Sequence, residues 1–421
     1  MASLALNQLT ISRGWVLSTL LALAMLVSAI VFREPAPVDL VMACFIVAMC
    51  LFGDGRLGPV TALNLVIWLV LVALSLAVTV YSPDFGEAVK HQFVTLFLAL
   101  GAVAIAAFIA QDPEPRARLV LNYYTAAIVV ACLLGYIGYF QLFPGAYELF
   151  TNYGRARGSF KDPHVFGAAV GPAMTYLVWL LLRHPTRQSL VPGMLFLFMA
   201  PALLISFSRG AWISLAVSLA VLGAIALMRT RRRSDHMRMA IYSVVGLATI
   251  VVTVMAVMQI PKVSKLMQQR ASLTQGYDEG PEGRFGGQAK AVKLILENPF
   301  GIGTHTFRER HHHEEVHNVY LTMFHYAGWL GGLLFITSVL LTLVFGLNYA
   351  LQFGALQGML VVAVASFVGL VVEGLVIEND HWRHFFIMLA LIWGLCDAQR
   401  SRSPISSPRR WSDPLSVSLR Q

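Results

Sequence analysis

Five side chains in this sequence are of a type, and in places, that chemistry could use: Arg155, Arg157, Arg209, Arg284 and His317. Arg209 sits in Ser206-Phe207-Ser208-Arg209-Gly210, a turn between two apolar runs that holds no carboxylate. A guanidinium at that depth is expensive to leave among hydrocarbon. It can snorkel to the lipid headgroups along its own stem, or it can bind an anion. Five fixed N–H donors per arginine suit a phosphate or diphosphate, and Arg155, Arg157 and Arg284 are expected on the same face as Arg209. An imidazole titrates near neutral pH, so His317 suits a general base.

His317 closes the run His311-His312-His313-Glu314-Glu315-Val316. A solvated polar face accounts for such a run without any chemistry. His313-Glu314-Glu315-Val316-His317 also satisfies the H-E-x-x-H pattern of zinc proteases. That reading needs a helix with both histidines on one face, and a third ligand of the type of Glu378, Asp380 or His381. A His- and Glu-rich run generates the pattern easily, and the Pro- and Gly-marked turn upstream argues for loop, so no metal is assigned. Glu373 lies within an apolar run. It is a functional candidate unless it pairs with a buried arginine or a backbone donor.

The elements that must position these residues follow from composition. Hydrophobic residues make up 57% of the 421 and charged ones 13%, against roughly 25% charged in a soluble domain. Mean hydropathy is +0.67. Long uncharged runs without period-2 alternation exclude a barrel and indicate an all-α, polytopic integral membrane protein. Apolar runs fall near 15–32, 38–52, 60–80, 91–110, 119–140, 165–182, 190–207, 210–228, 240–260, 327–347, 355–377 and 384–398, about twelve transmembrane helices. The second is short enough to be tilted or partly re-entrant. The run after Arg13 is too long for a signal peptide and is expected to be a retained first span.

The net charge of +9 does not indicate nucleic acid, because no aromatic-basic platform accompanies it. Its clusters, Arg229–Arg238 and Arg400–Arg410, directly follow apolar runs, as topology-setting charges do. With the N-terminus inside, 16 Lys and Arg lie inside and 7 outside, leaving aside the long polar segment. The four cysteines fall in or beside apolar runs as small hydrophobes.

The expected organisation is nine helices over 1–260, a large outward loop over 261–317, three helices over 318–399, and a disordered basic tail over 400–421. Within the loop, Val263, Leu266, Arg270 and Leu273 suggest a short amphipathic helix. Residues 284–297 suggest another, ended by Asn298-Pro299.

Four local patterns together resemble the bacterial O-antigen ligase and polysaccharide polymerase superfamily. They are Arg157-Gly158-Ser159-Phe160-Lys161-Asp162-Pro163-His164, Ser208-Arg209-Gly210, Arg284 followed by Asn298-Pro299-Phe300-Gly301-Ile302-Gly303, and His317-Asn318-Val319-Tyr320-Leu321 with Gly328 and Gly331. His164 stands where the family usually has asparagine, and the His311–Glu315 run lies outside the family pattern.

The resemblance implies a GT-C-like fold and an inverting glycosyltransferase that needs no metal or other cofactor. Its donor would be a glycan on undecaprenyl diphosphate. Arg209 and Arg284 would hold the diphosphate, with Arg155 and Arg157 near, and His317 would activate the acceptor hydroxyl. His164, Asn318 and Glu373 are further candidates. The acceptor would be lipid A–core for a ligase, or the next lipid-linked repeat for a polymerase. The resemblance further implies the bacterial inner membrane, both termini cytoplasmic and the site periplasmic. A transporter or flippase of lipid-linked sugars is the rival from another class.

Overall fold

The computed structural model describes residues 2–53, 56–183, 187–229, 280–352 and 356–402, with isolated positions between 233 and 259. The expected span at 240–260, the amphipathic stretch at 263–273 and most of the basic tail lie outside the described residues.

The first half of the chain holds α1 (Ala2–Val27), α2 (Pro37–Phe52), α3 (Pro59–Val78), α4 (Phe85–Gln111) and α5 (Pro113–Tyr139). A short α6 (Ala146–Phe150) leads into a two-stranded ribbon, β1 (Thr151–Asn152) antiparallel to β2 (Arg155–Ala156). Then come α7 (Pro163–Arg183), α8 (Leu190–Ile205) and α9 (Arg209–Arg229). After the long segment the chain forms α10 (Arg284–Glu297), α11 (Val319–Leu351), α12 (Gln357–Glu373) and α13 (Arg383–Arg402). Proline opens α2, α3, α5 and α7, where its missing N–H and fixed φ carry no cost.

Among the described residues, six helices are long and apolar enough to cross a membrane: α3 with its continuation to Tyr81, α4, α5, α7, α9 and α11. Four shorter apolar helices join them, within α1, α2, α8 and α12. Their perimeter exposes large aliphatic side chains such as Leu40 and Leu51, each 71% exposed. Water would penalise that surface and lipid would not. The chain is a helical membrane protein. Its centre is α13, whose residues from Phe385 to Cys396 are buried throughout and which packs along α4.

The first apolar run ends sooner than its composition suggests. Helix α1 stops at Val27, where Ser28 Oγ donates to Met25 O at 2.6 Å. The chain then runs beside the 151–164 loop: Val31 N donates to Ser159 O at 2.8 Å and Ser159 Oγ to Ala29 O at 2.6 Å. Gly158, at φ +55°, makes this possible, since a Cβ there would lie 2.4 Å from Ala131 O. The Gly158-Ser159-Phe160 pattern is therefore an anchor between α1 and α5.

The helices alternate so that polar chain gathers at two opposite ends. At one end Asp397 caps α3, accepting from Val60 N at 2.9 Å, Thr61 N at 3.0 Å and Thr61 Oγ1 at 2.6 Å. Arg56, Gln111 and Arg400 lie there too. At the other end Arg383 forks onto Asp39 at 2.8 and 2.9 Å, joining α13 to the start of α2. The 280–318 segment, the 206–208 turn and the 374–382 connection also meet at this second end.

Candidate functional site

His317 sits between two carboxylates. Its Nδ1 lies 3.4 Å from Glu378 Oε2 and its Nε2 3.3 Å from Glu314 Oε2. Its backbone N–H donates to Glu378 Oε1 at 2.5 Å. Burial works against a charge on this ring, but the nearby Glu378 carboxylate, with the charge of Glu314, outweighs it. The pKa is raised above the ordinary 6.5 even though the Arg284 guanidinium pulls the other way. His317 holds φ +54°, a conformation that costs a non-glycine residue energy and is kept only where the surroundings hold it. Glu378 and Asn318 do so.

Asn318 caps α11: its Oδ1 accepts from Tyr320 N at 3.1 Å and Leu321 N at 3.2 Å, and its Nδ2 donates to Leu375 O at 3.2 Å. Because the helix starts only after this cap, residues 312–317 are not helical. The H-E-x-x-H premise thus fails. His313 faces Glu282 at 3.6 Å while His317 faces Glu314 and Glu378, so the two rings do not share a helical face. The rest of the run diverges as well. His312 packs on Phe307, and Glu315 pairs with His305 at 3.0 Å.

The 373–378 turn joins His317 to two arginine-bearing helices. Gln288, one turn along α10 from Arg284, donates to His317 O at 3.1 Å and Leu375 O at 3.4 Å. Arg209 opens α9. A Cβ on the adjacent Gly210 would lie 3.3 Å from Glu373 Oε1 and 3.6 Å from Val376. Glu373 is 2% exposed and lies against the start of α9 at Gly210.

His164 and Arg155 brace the turn that precedes Arg209. Arg155 Nε donates to Ser206 O at 2.8 Å, and its Nη1 lies 3.2 Å from His164 Nε2. An arginine only donates, so His164 accepts through Nε2 and offers Nδ1–H to Ser208 Oγ, 3.1 Å away. A neutral histidine supplies one acceptor and one donor here, as an asparagine side chain would. Phe207 between these contacts is held at φ +49°. Arg157 is spent differently, on the carbonyls of Lys161 in its own loop and of Leu149 and Glu148 in α6.

The Asn298–Gly303 pattern is a dock for α11. Ile302 N and Gly303 N donate to His325 O at 2.9 and 3.1 Å, and Trp329 N to Pro299 O at 2.9 Å. Helix α11 kinks at Gly328, φ +67°, where a Cβ would lie 2.7 Å from Pro299 O. Gly301, φ +88°, meets the same helix: its Cβ would lie 2.7 Å from His325 O. These glycines let two backbones touch, and so fix the start of α11, which His317 precedes by two residues.

A cavity of about 790 Å³ has Glu378, the partner of His317, and Glu315 in its wall, while His317, Arg209 and Arg284 do not line it. Eight carboxylates and three permanent cations line it, so its field favours cations and hydroxyl donors over anions. Glu378 and Glu314 are the residues that sequence reasoning missed as partners of His317. Glu314 was visible three residues before His317, but only as part of the zinc pattern, and Glu378 only as a possible third ligand of that pattern.

Comparison with protein families gives one match: residues 194–336 fit the family described as O-antigen ligase. The matched stretch holds Arg209, Arg284, the Asn298–Gly303 dock and His317. A comparison with curated proteins gives no match.

Proposed function

We propose, from the fit of residues 194–336 to the O-antigen ligase family, that this chain is a glycosyltransferase acting at the membrane surface. It moves a glycan from an undecaprenyl-diphosphate donor to a sugar hydroxyl, as a ligase onto lipid A–core. The polymerase of the same superfamily, with a lipid-linked repeat as acceptor, is equally compatible with the site. The site would face the periplasm from the inner membrane, with both termini cytoplasmic.

The observation that carries this reading is the His317 imidazole held by Glu378 on the same turn that adjoins the helix starts of Arg209 and Arg284. In the reaction the acceptor oxygen attacks the anomeric carbon. A new C–O bond forms, the C–O bond to the diphosphate breaks with inversion, and the acceptor proton passes to His317. Arg209 and Arg284 neutralise the charge that grows on the departing diphosphate. For His317 to take that proton, the acceptor hydroxyl must displace Glu314, which is 46% exposed and free to turn outward. Glu378 stays and steadies the imidazolium that forms. The acidic cavity supports a division of the site: it disfavours a diphosphate, and carboxylates accept hydrogen bonds from sugar hydroxyls, which makes it the acceptor side. Arg155 and His164 act at one remove, by fixing the turn before Arg209. Asn318 acts likewise, as the cap of α11.

The test is transfer by the purified protein reconstituted with lipid-linked glycan and acceptor. Arg284→Ala should insert and express normally yet form no product. Near-normal product from that variant would remove the proposed diphosphate clamp. A wild-type protein that moves the lipid-linked sugar across vesicles, forming no glycosidic bond, would make it a transporter.

A further inference from the structure

The cavity wall holds a second group of side chains that the transfer chemistry does not use. His91, in the first turns of α4, meets Asp380 and His381 of the 374–382 connection, almost three hundred residues away in sequence. One ligand atom from each lies within 4.8 Å of the others. The two rings stack, with centroids 3.8 Å apart and planes 26° from parallel. His91 Nε2 and Asp380 Oδ2 are buried, 3.4 Å apart, and neither meets hydrogen-bond geometry. The Asp380 side chain is only 6% exposed. Buried polar atoms left in this way require an explanation, and a bound ion is one.

We propose that His91, Asp380 and His381 form a binding site for a divalent transition-metal ion, with Zn2+ the best fit. Two imidazoles and one carboxylate are a donor set that zinc takes, with a fourth position left for water; because the rings stack, the His91 ring must turn about its Cβ–Cγ bond for both lone pairs to meet the ion. Ligands at about 2.0–2.1 Å from a tetrahedral zinc stand roughly 3.3 Å from each other, close to the 3.4 Å between His91 Nε2 and Asp380 Oδ2. An outer partner is also in place. Thr95 Oγ1 donates to His91 O at 3.2 Å, so it accepts from His381 Nε2–H at 2.8 Å and leaves Nδ1 with the lone pair. The three residues open on the acidic cavity, which draws cations toward them.

These are different residues from the His313–His317 pattern, and the proposal stands without the glycosyltransferase reading. Its role would be structural. The ion pins the connection that carries Glu378 to the start of α4.

The experiment uses the full-length protein in detergent, stripped with chelator and titrated with Zn2+ and with Co2+ as a spectroscopic probe. The wild type should bind one tight equivalent and show the visible bands of low-coordinate Co2+. Asp380→Asn should weaken that binding by more than about 100-fold, and Thr95→Val by the 10- to 100-fold of an outer partner. Glu282→Gln disables the more exposed His312–His313 group and should leave the tight equivalent intact. Folding of every variant is checked by gel filtration. Equal binding by wild type and Asp380→Asn, loss only in Glu282→Gln, or no tight equivalent in the wild type would each overturn the proposal.

Discussion

Replacing Glu378 with glutamine changes one charge and almost no volume, and its effect can be worked from the geometry around His317. The carboxylate stands 3.4 Å from Nδ1, with the His317 and Glu378 side chains 26% and 19% exposed. A unit charge pair at that separation is worth about 5 kcal/mol at an effective dielectric of about 20, and about 2.4 kcal/mol at about 40, which suits a partly wet pair. In the proposed reaction the neutral ring becomes an imidazolium as the acceptor proton is taken, so this stabilisation would be felt in the transition state. Its loss lowers kcat by roughly 60-fold at the smaller figure and by more than 1000-fold at the larger. The amide also presents NH2 to Nδ1, which favours the tautomer protonated on Nε2, the wrong one for a base. Because Glu378 helps raise the His317 pKa above 6.5, the acid limb of the pH–rate profile should move to lower pH. The assay is initial-rate transfer between pH 5 and 9, with donor KM measured alongside. A variant within threefold of wild type, with its acid limb unmoved, would refute the argument.

Three further outcomes are expected. Glu314→Ala should also move the acid limb to lower pH, since Glu314 helps raise the His317 pKa, but should leave the plateau rate near wild type; a collapse of the plateau would make Glu314 a catalytic residue. Gly328→Ala forces a side chain onto Pro299 O at φ +67° and should destabilise by about 1–3 kcal/mol, read as a lower Tm in detergent. Arg383→Ala leaves Asp39 without its fork and Glu34 without its 3.7 Å partner. Breaking a largely buried pair costs about 3–5 kcal/mol, so its Tm should fall further than that of Gly328→Ala.

Hydropathy placed most helices within a few residues, because apolar runs and opening prolines mark them directly. It failed where tertiary contacts end a helix. The α1 run is apolar to Phe32, yet the chain leaves the helix at Val27 to run beside Ser159. Candidate site residues were legible as types in unusual places: His317 at a boundary, Arg209 in a bare turn. Their partners were not. Glu378 is sixty-one positions from His317, and no local pattern links them. Across the H-E-x-x-H match the Pro- and Gly-marked turn argued for loop, and the structure shows the reason: Asn318 caps α11, so residues 312–317 are not helical. The Asn298–Gly303 glycines were visible as a turn, but only the packing gives them a purpose, the close approach to α11.

The central claim is that His317 draws the proton from an acceptor hydroxyl while a lipid diphosphate departs. It is tested most directly by following both products at once, in purified protein supplied with lipid-linked glycan and acceptor. Wild type should release one undecaprenyl diphosphate for each new glycosidic bond, and His317→Ala, folded and inserted, should release and form neither. Near-normal product from His317→Ala would contradict the account.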